Sequence, residues 1–412
     1  MAQEKDTERV KNVLRLLESS DERERSKAWA EACWAVKEGT LDPGEAKRKK
    51  NHFLQLLDSG DRLVLSASFG CLRPLVESRV ITREDSEALL KLLASHDEEV
   101  RISAWTAAGY LVEAGVLVLN DLKERKGYLF ELLDSKDKVV MSSAWNEVIH
   151  LVELGVITQD DSAVFFNFLE SDDEEVSSNA WYLVAELVKK GTVAVEEVRQ
   201  RKEYLFRLLT SRDGDVRDSA WHTAGLLIEG GALDYRDSDV FLSLMESQDE
   251  GVRYKAWRLV KPLVERGVIL NVLVKTRKDS FLELLTSQDE GVRSNAWGIV
   301  SDLIGLGVVT PHEARLRKCQ FINLLESGDL ITRWYAWSNA LNLIGRGVVT
   351  REEVGQKIAY FLELLESGNV PVSCLALRDA KALLDSGLLK WGEVQEAWRY
   401  VEELCRQGSA LV

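Results

Sequence analysis

The chain has little of what forms cross-links, cofactor sites or membrane spans. Only five cysteines and five prolines occur in 412 residues, and no apolar run approaches the length of a membrane-spanning helix. The sequence has no glycine-rich phosphate loop, no nucleophile elbow and no paired histidines. These absences argue against a membrane protein, a disulfide scaffold and the familiar classes of enzyme. We therefore expect a protein without catalytic activity.

The cysteines and histidines show no ligand spacing. Cysteine is odd in number and never in a close pair, which predicts small core residues instead of disulfides or a metal knuckle. The histidines lack an i, i+4 pair, so we expect no metal and no cofactor. The residues concerned are Cys33, Cys71, Cys319, Cys374, Cys405, His52, His96, His150, His222 and His312.

Positive charges are outnumbered by negative ones, with 53 Lys and Arg residues against 68 Asp and Glu residues. The formal net charge is −15 at pH 7, which argues against nucleic-acid binding by the molecule as a whole, because phosphates require a basic face. The first residues, Met1 to Asp6, have neither the basic start nor the apolar core of a secretory signal. We therefore expect a cytoplasmic protein.

What the chain does contain is one pattern, written repeatedly. The stretch from Leu284 to Trp297 is a clear example, and its serine, Ser287, has a counterpart in every copy. The spacings between successive serines are 40, 36, 40, 36, 40, 36, 40, 40 and 40 residues. Such a period is typical of a solenoid. The ten serines are Ser19, Ser59, Ser95, Ser135, Ser171, Ser211, Ser247, Ser287, Ser327 and Ser367.

Each copy is predicted to hold a first and a second helix joined at this serine. A residue two positions on starts the second helix as its N-cap, and a glycine such as Gly307 ends it in the left-handed conformation. First helices begin at Thr82, Thr158, Thr310 and Thr350, each followed three residues later by an acid, as in a capping box. The predicted N-caps of the second helices are Asp21, Asp61, Asp97, Asp137, Asp173, Asp213, Asp249, Asp289, Asp329 and Asn369.

This arrangement resembles the HEAT-repeat family, especially its HEAT-like branch. In that branch Asp, Val-Arg and Ala mark the second helix, as Asp289, Val292, Arg293 and Ala296 do here. The resemblance implies an all-α fold: a right-handed α-solenoid superhelix of about ten antiparallel helix pairs, with second helices lining a concave groove. It also implies a ladder from aspartate to arginine. Four copies interrupt that ladder with Leu65, Met141, Ser177 and Ser373.

A periodic array has no internal boundary, so a single domain is predicted over residues 1–412. The repeats are expected at roughly 1–39, 40–79, 80–115, 116–155, 156–191, 192–231, 232–267, 268–307, 308–347 and 348–387. A C-terminal capping helix is expected within 388–412.

Long and short first helices alternate through seven copies, and the long ones carry basic clusters. Ten residues before each serine the sign of the charge alternates: Lys49, Asp85, Arg125, Asp161, Arg201, Asp237, Arg277. This favours ion pairs between repeats, and a basic ridge for a ligand is the alternative. Beyond Arg277 the alternation stops, because Arg317 and Lys357 follow at that position with no acid between them. This predicts a basic patch that the nearby Glu313, Glu352 and Glu353 weaken but do not cancel. Its residues are Lys275, Arg277, Lys278, Arg315, Arg317, Lys318 and Lys357.

Aromatic residues recur at one register of the second helices. A demand repeated at a fixed position is typical of packing between helix pairs, and a ladder for stacking bases or sugars is the alternative. The eight tryptophans are Trp29, Trp105, Trp145, Trp181, Trp221, Trp257, Trp297 and Trp337.

Residues further along the second helices vary from copy to copy, which marks a face that packing does not dictate. This face is the predicted binding groove: Trp34, Tyr110, His150, Tyr182, His222, Arg258 and Lys261. We expect a scaffold that receives a peptide or protein partner there. The alternative is a nucleic-acid-associated protein that binds through residues 275–278, 315–318 and 357. An acidic partner is expected to dock on the C-terminal third.

Overall fold

The computed structural model describes residues 2–191 and 193–408, with side chains at residues 8, 10–191 and 193–405. Every regular element in these ranges is helical. None of the described helices is long and apolar enough to cross a bilayer. The contacts divide the chain into two units, residues 1–194 and 195–412.

Unit 1 contains eleven α-helices in its described part. They are α1 Ala2–Leu16, α2 Glu22–Lys37, α3 Pro43–Lys47, α4 Lys50–Leu56, α5 Arg62–Glu77, α6 Ser86–Leu92, α7 Glu98–Glu113, α8 Leu119–Phe130, α9 Lys138–Glu153, α10 Ser162–Leu169 and α11 Glu174–Lys189. Short 3-10 turns occupy Arg83–Asp85, Glu131–Asp134 and Gln159–Asp161.

Unit 2 contains sixteen α-helices in its described part. They are α12 Val195–Arg199, α13 Lys202–Leu208, α14 Gly214–Glu229, α15 Ser238–Leu244, α16 Glu250–Arg258, α17 Val260–Glu265, α18 Asn271–Lys275, α19 Lys278–Leu284, α20 Glu290–Gly305, α21 Pro311–Arg315, α22 Lys318–Leu324, α23 Leu330–Gly345, α24 Arg351–Gly355, α25 Ile358–Leu365, α26 Val370–Ser386 and α27 Trp391–Gly408. A 3-10 turn occupies Tyr235–Asp237.

The predicted helix pairs are confirmed. The second helices are α2, α5, α7, α9 and α11 in unit 1, and α14, α16 with α17, α20, α23 and α26 in unit 2. One of them breaks at Leu259, because Pro262 has no N–H to bond the carbonyl of Arg258 and its ring crowds that carbonyl. The terminal helix α27 packs on α26, as expected of a cap.

The longer first helices are not simply one turn longer. Four of them in unit 2 and one in unit 1 are split in two, and the break falls at the basic residue ten positions before the serine, such as Lys49 or Arg277. In short copies Asp85, at the same position, has nearly the same backbone conformation and is the last residue of a 3-10 turn. The additional residues therefore lengthen the segment before a fixed break.

Each corner is held by the serine and the residue two positions on. The serine Oγ accepts the backbone N–H of that residue in all ten copies, for example at 3.1 Å between Ser287 and Asp289. The Asp or Asn side chain then accepts one or two N–H groups of the second helix, which confirms all ten predicted caps. The four predicted threonine capping boxes are also present.

The repeated tryptophan is a core residue that ties the two helices of its own copy together. All eight rings are at most 4% exposed. Each Nε1–H donates to the carbonyl twelve residues earlier, at the end of the first helix, for example to Leu209 from Trp221 at 3.0 Å. Most rings also meet a buried phenylalanine of the next copy, as Trp257 meets Phe281 at 5.2 Å between ring centroids. Rings so buried offer no stacking surface.

The expectation for the cysteines is wrong at two points. Cys33 and Cys71 are buried, as predicted, but Cys319 is exposed. Cys374 and Cys405 form a disulfide with 5.9 Å between their Cα atoms, which links α26 to α27. The two residues lie 31 positions apart, so only the packing of the cap on α26 brings them together.

Candidate functional site

The seven predicted groove residues all lie on second helices, and packing does not bury any of them fully. Tyr110 and Tyr182 are half-buried, and the others are exposed. They fall at two levels of the helix, one turn apart, so they do not form one continuous row. The structure brings together only some of them.

In unit 1, Tyr110 and His150 belong to neighbouring helices. The His150 ring packs over Gly109, where an added Cβ would lie 2.6 Å from Nε2. Arg73 stacks on the Tyr110 ring with 5.4 Å between its guanidinium carbon and the ring centroid. Burial raises the pKa of Tyr110 well above its usual range. Trp34 lies elsewhere in the unit, 65% exposed, beside a cavity of about 320 Å³ lined by Leu41 and Glu38.

A groove along the second helices of unit 1 contains none of the seven predicted residues. It is an open groove of about 420 Å³ across α5, α7 and α9. Hydroxyl and apolar side chains form most of its wall. The lining residues are Arg62, Leu65, Ser66, Phe69, Glu99, Ile102, Ser103, Thr106, Val139, Val140 and Ser143.

Charges at the rim of this groove are paired. Arg62 lies 2.8 Å from a carboxylate oxygen of Glu99 and 3.6 Å from one of Asp137. The exposed apolar residues Leu63, at 74%, and Val139, at 65%, lie at the same level of their helices. The signal for this groove was present in the sequence: small serines, not large variable residues, occupy the middle of these three helices.

In unit 2, His222 and Arg258 line one small cavity of about 160 Å³ between α14 and the α16–α17 segment. Lys255 and Asp218 form an ion pair at 2.7 Å in its wall. Lys261 lies one turn further and pairs with Asp302 at 3.0 Å. The cavity is too small for more than a side chain.

The premise of an uncompensated basic patch is wrong. Lys278 pairs with Glu313 at 2.5 Å, Lys318 pairs with Glu353, and Lys357 pairs with Glu326 at 2.6 Å. Arg277 lies 3.4 Å from a carboxylate oxygen of Glu246. The prediction failed because it compared charges only at the position ten residues before each serine. In long copies the capping-box acid lies four residues earlier, so the acids were present but out of register.

The ion pairs between repeats are confirmed, but they begin one residue later than predicted. Lys50 pairs with Asp85 at 2.7 Å and Lys126 pairs with Asp161 at 2.6 Å. Lys202 pairs with Asp237 in the same way. Each lysine therefore meets the capping-box acid of the next first helix, 35 residues on, in short and long copies alike.

Two of the three remaining cations of the patch bond to backbone. Arg315 donates to the carbonyl of Gly347 at 2.5 Å, at the C-terminal end of α23, where a helix favours positive charge. Arg317 donates to the Glu313 carbonyl at 3.1 Å. Lys275 lies near Gly307, the matching glycine of its own copy, where an added Cβ would be 3.7 Å from Nζ.

The arginine of the HEAT-like pattern does not build a ladder with the capping aspartates. Arg217, Arg253 and Arg293 each donate to the carbonyl of the corner serine of their own copy. Arg333 does the same and also pairs with Glu363 of the next copy at 2.8 Å. Within the described residues, no group of three His, Cys, Asp or Glu side chains is arranged to hold a metal ion.

Comparison with solved structures identifies the fold. A crystal structure of importin beta in an ammonium sulfate condition is similar to 92% of this chain with a TM-score of 0.55 and 16% sequence identity. The match covers 51% of that chain, so this chain spans about half the length of the importin beta structure. A crystal structure of Kap121p bound to Pho4p matches 97% of this chain and 43% of its own, with a TM-score of 0.48 and 13% identity.

Importin beta is a HEAT-repeat solenoid. The chain therefore has a HEAT-like α-solenoid fold, as the resemblance of its repeats implies. Neither the protein-family models nor the curated proteins contain a match to the sequence.

Proposed function

We propose that this chain is a non-catalytic scaffold that holds a peptide segment of a protein partner against its second helices. The observation that carries the proposal is the groove across α5, α7 and α9 in unit 1. Its volume of about 420 Å³ accommodates several side chains, and its wall mixes hydroxyls with apolar groups. Such a mixture suits a peptide, which presents both apolar side chains and a polar backbone.

The positions predicted from the sequence lie outside this groove, on its own second helices or on those of other copies. Tyr110 and His150 are on α7 and α9, beyond the groove along the same helices, and Trp34 is on α2. Tyr182 in unit 1, with His222, Arg258 and Lys261 in unit 2, lies on further second helices. We propose that these residues contribute to the same kind of surface, and that the protein acts in the cytoplasm.

The argument for nucleic-acid binding through the basic first helices required cations without acidic partners. Phosphate binding requires cations that are available to replace counterions. Lys278, Lys318 and Lys357 are each already within 2.6 Å of a carboxylate oxygen. The acidic partner expected on the C-terminal third no longer follows from this patch.

A peptide-display selection tests the proposal. Random peptides are selected on the immobilised protein, with the variant Ser66→Arg/Thr106→Arg used for counter-selection, since both residues are exposed and line the groove. Lys123→Glu, on the exposed side of first helix α8, is the matched control. We expect peptides that bind the wild type and the control alike and the groove variant at least about tenfold more weakly. If every enriched peptide binds all three proteins equally, the groove is not the binding surface.

A further inference from the structure

One second helix of unit 2 has a notch in its surface. Gly298 on α20 stands at the position that His222 and Arg258 occupy in earlier copies. An added Cβ there would lie 2.8 Å from Cε1 and Cζ of Tyr335, which belongs to the next second helix, α23. The Tyr335 ring therefore lies across α20 in the space that a side chain would fill. A residue larger than glycine would displace it.

The notch brings the Tyr335 hydroxyl towards α16, two copies back. The charge of Arg258 on α16 acts on the Tyr335 phenol, and the Tyr335 phenol in turn acts on that of Tyr254. Tyr254 and Arg258 lie one turn apart on α16, within electrostatic range of the Tyr335 phenol that covers Gly298 on α20. Without the glycine, the side chain on α20 would separate them.

These groups are donors that lack acceptors. Within the described residues, Arg258 has no carboxylate oxygen within 4.0 Å, and neither phenol hydroxyl has a hydrogen-bond partner. Burial raises the pKa of Tyr254 to about 12, so its hydroxyl keeps its proton at neutral pH. One turn before Gly298, the buried Ser294 Oγ is also without a partner. The Arg258 guanidinium and the two phenol hydroxyls are open to solvent, so an incoming acceptor can reach them.

Among the described charged groups near this subsite, Arg258 is the cation that no carboxylate neutralises. Asp218 on α14 acts on Tyr254, but Lys255 neutralises it at 2.7 Å. Lys261 is matched by Asp302 at 3.0 Å. Glu229 lines the α14 side of the neighbouring cavity and lies beyond ion-pair distance of Arg258. The guanidinium therefore remains the group that an incoming charge would meet.

We propose that Arg258, Tyr254 and Tyr335 form a subsite for an oxyanion, a carboxylate or a phosphate monoester, on the side chain of the bound partner. Two O–H donors and the fork of a guanidinium match an acceptor with several oxygens. A cationic or apolar side chain would leave all three donors unpaired. This inference rests on the proposed function, because that function supplies the partner that carries the anion. The subsite itself is expected to bind free anions as well.

The test uses the full chain labelled with ¹³C at tyrosine and titrated separately with acetate and with inorganic phosphate, at an ionic strength held constant with potassium chloride. The resonances of Tyr254 and Tyr335 are assigned from Tyr→Phe variants. We expect a saturable shift of both resonances with at least one anion, and the stronger anion identifies the source as carboxylate or phosphate. Because the ionic strength is constant, changes in electrostatic screening do not contribute to the shift.

Arg258→Gln should weaken the saturable shift at least about tenfold. Arg266→Gln, at an exposed arginine two turns further along at the end of α17, should leave it unchanged. No saturable shift with either anion, or an equal shift in Arg258→Gln, overturns the inference. No peptide is used in this test, so its outcome does not depend on that of the peptide selection. If only the proposed function fails, no peptide binds the groove but an anion still shifts the tyrosine resonances. If only the subsite fails, peptides bind the groove but neither anion shifts these resonances.

Discussion

At the residue scale, Arg79 shows what the repeat pattern demands of the backbone. It is the non-glycine residue with positive φ in the described part of the chain, at +60°, and it stands where other copies have a glycine such as Gly115 at +73°. A left-handed conformation costs a residue with a Cβ about 1 kcal/mol or more. The copy tolerates this cost because the rest of the corner holds the chain in place.

Arg79→Gly should therefore stabilise the protein by about 1 kcal/mol, and Gly115→Ala should destabilise it by a similar amount. Gly115 has no atom within 4 Å of an added Cβ, so the substitution tests the backbone alone. Chemical denaturation followed by circular dichroism measures both. Equal midpoints for Arg79→Gly and the wild type would mean that the strain at this corner has been relieved in some other way.

Glu147 is a buried carboxyl group in the second helix α9. It is 8% exposed, its Oε1 has no hydrogen-bond partner within the described residues, and burial raises its pKa to about 8. Between its unfolded value of 4.5 and about 8 the folded state holds a proton that the unfolded state has released. The site therefore lowers stability progressively as the pH rises through that window.

Glu147→Gln, which cannot ionise, should remove this effect. The stability of the variant relative to the wild type should grow by at most about 1.4 kcal/mol per pH unit between pH 5 and 8. Urea denaturation at several pH values gives the difference, in which all other groups cancel. Parallel stability curves would place the carboxyl group in contact with water or a donor.

At the scale of helices, the tryptophan and its hydrogen bond join the two members of a pair. Trp221 is 4% exposed and donates to the Leu209 carbonyl at 3.0 Å. Trp221→Ala should cost about 3 to 5 kcal/mol, and Trp221→Phe, which loses mainly the hydrogen bond, about 1 to 2 kcal/mol. Trp34→Ala, at a ring 65% exposed, is the control and should change little. Similar losses at both positions would contradict a core role specific to the repeated register.

The lysine of one first helix and the capping box of the next form the second link between copies. The Lys278 ammonium, with the Thr310 backbone N–H, lowers the pKa of Glu313 to about 2. A depressed pKa adds stability above the unfolded value of 4.5, and this is lost as the pH falls towards 2. Acid should therefore loosen the contact between these copies.

Lys278→Met should raise the pKa of Glu313 but leave it below 4.5, because Thr310 still donates to the carboxylate. Carboxyl ¹³C titration by NMR measures this. Lys318→Met, whose partner is Glu353, is the matched control and should leave Glu313 unaffected. An unchanged Glu313 pKa in Lys278→Met would show that the ion pair does not persist in solution.

The sequence predicted these elements better than their partners. Caps, capping boxes and left-handed glycines follow from local chemistry, so Asp97, Thr310 and Gly307 were assigned correctly. Partners depend on register between copies. Four inserted residues shift Glu313 and Glu353 away from the compared position, so their direct pairing with Lys278 and Lys318 was not predicted. The Cys374–Cys405 disulfide arises only from packing, which no spacing in the sequence reveals. The groove of unit 1 was missed although three serines that line it, Ser66, Ser103 and Ser143, could be read from the sequence.

At the scale of the whole molecule, cations of the long first helices form contacts that hold the repeats together. Lysines and arginines that looked like a ligand surface instead bond to capping-box acids or to helix carbonyls. What remains variable is the surface of the second helices, and the open groove there lies in unit 1. The prediction of a single domain over residues 1–412 and of a right-handed superhelix remains a prediction.

The dissociation constant of a selected peptide, measured at low and high salt, tests the central claim most directly. It is compared among the wild type, Ser66→Arg/Thr106→Arg in the groove, and Lys278→Met/Lys318→Met on the first helices. We predict at least about tenfold weaker binding for the groove variant, a change within about twofold for the lysine variant, and little effect of salt. Loss of binding in the lysine variant, together with a steep dependence on salt, would contradict the account. It would indicate that the first helices form the binding surface.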